Sequence, residues 1–322
     1  MTVEKGYVDA PVPDGVDIVA EIRRLKKEKQ AVVLAHYYQS GDIQDIADHV
    51  GDSLAMAQYA ATLRDAKIIV VCGVHFMGET AKLLCPDKKV LIPDTNAGCS
   101  LADSCPPEAF EAFVKAHPDH TVVSYVNTSV GVKALTDIVV TSGNARKVID
   151  SLPADEKIIF GPDRNLGNYI NAQTGRRMLL WDGACHVHEL FSAEKIAALK
   201  DRHPEARVLV HPECKRPLTL LADCVGSTAA LLKYAQENPA TEFIVATESG
   251  ILHEMRRLCP GKTFIPAPPS DSTCGCNDCA FMKLITMEKL YNTLRYELPE
   301  INIDPAIADR ARRPIDCMLE LS

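Results

Sequence analysis

Apolar residues fall along the chain in two alternating rhythms. Residues 16–30 (VDIVAEIRRLKKEKQ) space theirs three and four apart beneath a charged face, which predicts an amphipathic helix. AVVLAHYY, from Ala31 to Tyr38, is a short unbroken apolar run, the pattern of a buried strand. IQDIAD then predicts a short helix, HVGDS a second strand ending and LAMAQYAATLRDA a helix. KIIVVCGVHFMGE reads as a third strand, TAKLLCPD as a helix, and KVLIPDT as a fourth strand ending near Cys99. Strands that alternate with helices make parallel β-α units.

The same order recurs twice. TVVSYVN opens a second round that runs through VGVKALT, DIVVTS, NARKVIDSL, KIIFGPDRNLG and RMLLWDGAC. RVLVHPE opens a third, through RPLTLLA, DCVGST, AALLKYAQEN, EFIVATESG, ILHEMRRLC and KTFIPAPP. Asp48, Asp137 and Asp223 each precede a V-x-x-[ST] that ends at Ser53, Ser142 or Thr228. Twelve residues before each aspartate stand His36, Tyr125 and His211, and two further on Tyr38, Asn127 and Glu213. All these sets are offset by 89 and 86 residues. The chain therefore reads as α/β, with three repeated parallel-sheet lobes at residues 1–107, 108–196 and 197–279. Residues 280–322 are expected to return and pack on the first lobe, on the strength of the late apolar run IDCMLEL. Ligands of parallel sheets bind beyond the carboxyl ends of the strands. Lobes packed about a pseudo-threefold axis would turn the matched polar residues toward one central active site.

Cysteine is the chemistry that stands out. Cys274, Cys276 and Cys279 fall within six residues, before an amphipathic run that reads as a helix. A thiolate at a helix start is stabilised by free backbone N–H groups, which favours metal ligation or redox chemistry. C-x-C-x-x-C lacks a nearby second pair, so a metal would draw ligands from afar; a small zinc site and a local disulfide are the plainer alternatives. The fourth strands of the first two lobes end at Cys99 and Cys185, which are 86 residues apart and in step with the repeat. One thiolate per lobe suits a 4Fe–4S cluster with one iron left open as a Lewis acid. A three-thiolate catalytic zinc is the rarer possibility. Cys72, Cys214, Cys224, Cys259 and Cys317 read as packing or idle thiols; Cys85 is ambiguous, and Cys105 lies close to Cys99.

Composition narrows the setting. A net charge of −8 argues against a nucleic-acid or anionic-membrane binder, and no apolar run reaches bilayer length. The opening MTVEKGYVDAPVPDGVD has no signal-peptide character, and twelve cysteines without an export signal point to a reducing, cytoplasmic setting.

With these residues in hand, the chain resembles the quinolinate synthase family over nearly its whole length. The carrying motifs are LAHYYQ with DIADHVGDSL, GVHFMGETAK, PDTNAGCSLAD, VVSYVNTS with VVTSGNA, FGPDRNLG, GACHVH, VHPEC with GSTAAL, FIVATESGI and CAFMKLITMEKL. The resemblance implies three α/β lobes around a 4Fe–4S cluster. It also implies condensation of iminoaspartate with dihydroxyacetone phosphate, with loss of phosphate and water, to a pyridine dicarboxylate that feeds NAD synthesis. An upstream aspartate-oxidising enzyme that supplies iminoaspartate is the implied partner. The implied ligands are Cys99, Cys185 and Cys279. Ala280 stands where the family commonly has proline, and Gly78 where it usually has alanine. A reversible disulfide between Cys274 and Cys276, as some members are thought to form, would be strained by the single residue between them.

Both substrates are anions, and helix starts bind anions. One serine at such a place is a helix cap, whereas a matched set across lobes favours anion binding by Ser53, Ser142, Ser227 and Thr228. Asp52 is an odd neighbour for an anion and reads as orienting a donor or meeting a protonated group. Glu213, flanked by His211, is the expected general base. Tyr38, beside His36, is expected to serve enolisation and phosphate loss, as an acid unless a neighbour lowers its pKa of about 10. Tyr125 and Asn127 are expected to donate to substrate carboxylates, and His188 to lie near the cluster. Lys215 and Arg216 read as surface; Glu79, Asp163, Arg164, Asn165 and Glu248 stand at strand ends without an assigned role. Two other functions fit parts of the pattern: a 4Fe–4S hydro-lyase of the aconitase type, and a redox sensor or cluster carrier built on Cys274, Cys276 and Cys279.

Overall fold

The computed structural model describes residues 3–271 and 277–322. Its strands are short apolar runs buried on both faces, as parallel strands covered by helices must be. The first sheet holds β1 (Ala31–His36), β2 (His49–Gly51), β3 (Ile68–Cys72) and β4 (Lys89–Leu91). The second holds β5 (Thr121–Tyr125), β6 (Ile138–Val140), β7 (Ile158–Gly161) and β8 (Leu179–Leu180). The third holds β9 (Arg207–Val210), β10 (Cys224–Val225), β11 (Glu242–Ala246) and β12 (Thr263–Pro266). All pairings are parallel, and the orders β2-β1-β3-β4, β6-β5-β7-β8 and β10-β9-β11-β12 are the same topology three times.

The register repeats too. Leu34 pairs with His49, Val123 with Ile138 and Leu209 with Cys224, each set at the offsets of the sequence repeat. The repeat aspartates explain why. The carboxylates of Asp48, Asp137 and Asp223 accept the N–H of Val33, Val122 and Val208, at 2.8 Å in all three lobes. Each aspartate N–H returns a bond to the same valine's carbonyl. A side chain thus continues the ladder between the first and second strands.

One boundary differs from the sequence expectation. The third strand stops at Cys72, and GVHFMGE breaks at Gly73–Val74 to enter the helix His75–Leu84. That helix is buried on nearly every side, so its apolar residues show no polar face and read as a strand. Gly78 lies on it; a Cβ there would stand 3.0 Å from Ile301, so the C-terminal segment packs closely against this glycine. The helix Met287–Tyr296 rests on Ile18–Glu28 of the first lobe. The helix Pro305–Glu320 crosses from His75–Leu84 to β6 and Val130–Lys133 of the second lobe.

One continuous apolar core runs through the first two lobes and these C-terminal helices, with a smaller core on the other face of the second sheet, and the third lobe packs a core on each face of its own sheet. The third lobe meets the others through close backbone approach and polar contacts. Gly250 is required at one such point, since a Cβ there would lie 2.7 Å from the Tyr38 backbone. Among the described residues no helix is long and apolar enough to cross a membrane. Cys274 and Cys276 lie outside the described residues; Cys72, Cys85, Cys105, Cys214 and Cys259 are buried free thiols, and Cys224 and Cys317 are half-buried.

Candidate active site

The carboxyl ends of all three sheets open on one central cavity of about 690 Å³, mouth included. The first lobe contributes His36, Tyr38, Asp52 and Ser53; the second, Tyr125, Asn127 and Ser142; the third, His211, Glu213 and Thr228. Cys99, Cys185, His188 and Cys279 also line it. Ser227 alone of the expected set does not: it is buried, and its hydroxyl accepts from Ala230 N at 3.3 Å to cap the helix Thr228–Glu237.

The repeat places these groups by local means. At the ends of β1 and β9, His36 Nδ1 accepts the Tyr38 N–H (3.2 Å) and His211 Nδ1 accepts the Glu213 N–H (3.4 Å). An Nδ1 that accepts leaves the proton on Nε2; His211 Nε2 meets the Ser142 hydroxyl at 3.2 Å. Asp52 accepts from Ala55 N at 3.0 Å and caps the helix Ser53–Thr62, which accounts for a carboxylate beside Ser53. Ser53 and Thr228 are the first residues of their helices. Ser142 differs, because the second lobe's helix starts only at Ala145.

Each of the three cysteines precedes a short turn whose N–H groups point at its sulfur. Cys99 precedes Ser100–Asp103 and faces the amides of Leu101 and Ala102. Cys185 precedes His186–Glu189 and faces that of His188. Cys279 precedes the single 3-10 turn Met282–Leu284 and faces those of Phe281 and Met282. The long helix expected there begins only at Met287. Burial drives all three thiols up, Cys99 to about 12, and thiolate charge on Cys279 raises Cys99 further, as charge on Cys99 raises Cys185. Thiols that burial and neighbouring negative charge hold protonated ionise when they bind a cationic centre. The donor set therefore fits a metal group, and Cys185, His188 and Glu213 also bring ligand atoms within 4.8 Å of one another.

Beside the sulfurs runs a hydrogen-bonded path between lobes. Tyr38 Oη lies 3.1 Å from Thr228 Oγ1 and 2.6 Å from Thr247 Oγ1, which lies 3.0 Å from His188 Nε2. His188 Nδ1 stands 3.1 Å from Glu213 Oε2, at ion-pair distance but out of line with the ring N–H. The other Glu213 oxygen accepts the Tyr125 hydroxyl at 2.5 Å. Burial works against the Glu213 carboxylate, and His188, His211 and the Tyr125 hydroxyl outweigh it, lowering its pKa to about 2. Burial also takes His211 and His36 down to about 3. A neutral His211 stabilises little, so at neutral pH the carboxylate is held by the Tyr125 hydroxyl. Burial and the Glu213 charge push Tyr38 and Tyr125 upward, so both stay protonated and act as donors.

Thr247 left no mark in the sequence, because the matching strand ends, Cys72-Gly73 and Gly161-Pro162, carry no hydroxyl. Glu248 lines the cavity as well: it accepts from Cys279 N (3.1 Å) and Gly250 N (2.7 Å) and pairs with Lys283 at 2.9 Å. The remaining strand-end residues are tied into the scaffold. Buried Asp163 caps the helix Arg164–Thr174, Glu79 accepts from Val130 N, and Asn165 donates to Glu189 and to the Glu213 carbonyl. Arg164 pairs with Asp182 and Glu189. Lys215 pairs with Glu189, and Arg216 is exposed.

Comparison with known proteins agrees. The chain is 58% identical over 307 residues to a quinolinate synthase of Nostoc punctiforme, covering 95% of this chain and 94% of that one. It is 54% identical to one of a Synechococcus species, with 98% of each chain covered, and 53% identical to one of Chloroherpeton thalassium, with 95% of each covered. Residues 20–320 match the family model described as quinolinate synthetase A protein, and the chain belongs to that family.

Proposed function

We propose that this protein condenses iminoaspartate with dihydroxyacetone phosphate to form quinolinate, with loss of phosphate and water, as a transferase of cytoplasmic NAD synthesis. In this reading three lobes surround a pseudo-threefold axis, and an aspartate-oxidising enzyme supplies the imine. The observation that carries it is the meeting of Cys99, Cys185 and Cys279, one from beyond the fourth strand of each sheet, in the cavity that holds Glu213, Tyr38 and His188.

Those cysteines would hold a 4Fe–4S cluster, whose fourth iron supplies Lewis acidity for loss of water when the cluster is bound. The protein's own groups do the rest. The helix starts at Ser53 and Thr228 offer N–H groups and hydroxyls to phosphate or carboxylate. Asn127, whose Oδ1 has no protein partner, and Tyr125 orient the second substrate. Glu213, anionic at neutral pH, removes a proton, while Tyr38 donates one and is resupplied through Thr247 and His188. His36 and His211, kept neutral by burial, hold their neighbours without adding charge.

Iron and acid-labile sulfide, measured on anaerobically purified protein, test the reading together with a quinolinate assay. About four of each per chain is expected. Alanine at Cys99, Cys185 or Cys279 removes them, whereas the Cys274/Cys276 double variant keeps them. The donor set Cys185, His188 and Glu213 would alone suit a single zinc. One zinc and no iron in the wild type would replace the cluster with that site.

A further inference from the structure

Lys133 is fully buried, yet it makes no ion pair among the described residues. Its Nζ donates instead to main-chain carbonyls: Val126 O at 2.8 Å and Thr128 O at 2.5 Å, with Thr128 Oγ1 at 3.4 Å. The Glu79 carboxylate acts on it only at a distance, and a buried ammonium without a carboxylate in contact is a costly way to satisfy two carbonyls, so its placement calls for a reason.

The repeat supplies one. Gln44 stands 89 residues before Lys133 and is also buried. Its Nε2 donates to Tyr37 O (3.0 Å) and Gln39 O (2.8 Å), the same two positions after the first strand of its lobe. In both lobes the two carbonyls flank a single residue. That residue is Tyr38 in one and Asn127 in the other, and both face the central cavity. The chemistry of the clamp has changed from amide to amine while its target has not. Gln44 also reaches Gly250 O at 3.0 Å, which ties the first clamp to the third lobe. Among the described residues the third lobe has no such clamp. Thr219, at the matching position, is half-buried and bonds Arg216 O, and the Glu213 carbonyl is held by Asn165 at 3.1 Å.

We propose that Lys133 and Gln44 are positioning residues of the active site: each pins the carbonyls on either side of a cavity-facing side chain, Asn127 or Tyr38, and so fixes the direction in which that side chain meets substrate. The catalytic part rests on the function proposed above; the clamp itself does not. Lys133 Nζ also lies 5.3 Å over the Phe76 ring, which fixes its side chain from the opposite side.

The test compares Lys133→Met with Lys133→Gln in the anaerobically purified holoprotein. Three readings are taken: iron content, steady-state constants, and amide hydrogen exchange of residues 125–128. Lys133→Met is expected to keep its iron, to exchange faster in that segment, and to raise KM by roughly ten- to a hundred-fold, the scale of a misplaced binding group. Lys133→Gln, which copies the first lobe, is expected to restore both. A role confined to stability would lower the melting temperature of Lys133→Met and leave KM and the local exchange pattern as in the wild type; that result overturns the proposal. So does a folded Lys133→Gln as impaired as Lys133→Met. Where Lys133→Met fails to fold, Lys133→Gln decides: wild-type exchange and KM support the clamp, and their loss refutes it. If the wild type makes no quinolinate, the proposed function fails, and hydrogen exchange with its rescue by glutamine still decides the clamp.

Discussion

Thr247→Val cuts the path between Tyr38 and His188 while nearly preserving side-chain shape. Two hydrogen bonds disappear, at 2.6 Å and 3.0 Å, but their losses are unequal. Tyr38 keeps Thr228 at 3.1 Å and is not orphaned. His188 Nε2 loses the bond the threonine hydroxyl provides, in a ring that is 2% exposed, and a buried polar atom left unpaired costs about 1–3 kcal/mol. Stability should therefore fall by about that amount and no more. Activity should fall further, because Tyr38 then loses the route through His188 by which it recovers its proton. General acid–base assistance is worth about 10²–10⁴-fold, so kcat should drop by about a hundred-fold or more with KM little changed. Iron content should hold, since the contacts of Thr247 are to Tyr38 and His188 rather than to a cysteine. The assay is anaerobic quinolinate formation with kcat and KM resolved, beside Thr247→Ser, which keeps the hydroxyl and should recover to within about ten-fold. A folded, iron-replete Thr247→Val with wild-type kcat would refute the relay, as would a serine variant no better than valine.

Two further outcomes follow from the same geometry. His36 and His211 have folded pKa values near 3 against 6.5 when free, so below pH 6.5 the unfolded chain binds the extra protons. Stability from these rings is complete above about pH 6.5 and is withdrawn as pH falls toward 3, at up to about 1.4 kcal/mol per unit for each ring. Urea midpoints between pH 7 and 5 should show that slope, and His36→Asn should flatten it; an unchanged slope would mean that the ring is not neutral in the folded protein. Glu248→Ala leaves Cys279 N and Gly250 N without their acceptor and breaks a carboxylate–lysine pair that is buried on the carboxylate side. With Lys283 partly in solvent, the cost should be roughly 2–3 kcal/mol, and the variant should lose iron faster than wild type in a chelator challenge. Retention at the wild-type rate would show that Cys279 is held by its own turn alone.

The sequence by itself determined what depends on neighbours in the chain. Unbroken apolar runs such as IIVVC and EFIVA are strands because a sheet covered on both faces accepts nothing else. The threefold recurrence of aspartate twelve residues after His36, Tyr125 and His211 announced a common register, since in every lobe that aspartate's carboxylate and its own N–H bond the same valine's backbone. The cavity-lining residues of the matched sets, His36, Tyr38, Ser53 and their counterparts in the other two lobes, were likewise legible as strand ends. Tertiary structure decided the rest. Periodicity could not separate strand from helix at His75–Leu84, because packing buries that helix nearly all round. It could not separate Ser227, which caps, from Thr228, which faces the cavity. Thr247 and Lys133 act across lobes or on backbone carbonyls, and no local pattern marks them; Glu248 was legible as a strand end, but its hold on the Cys279 amide was not. Backbone periodicity is imprinted on adjacent residues. The meeting of three sulfurs, a carboxylate and a tyrosine from distant segments is fixed only when the lobes pack and their strand ends face one another.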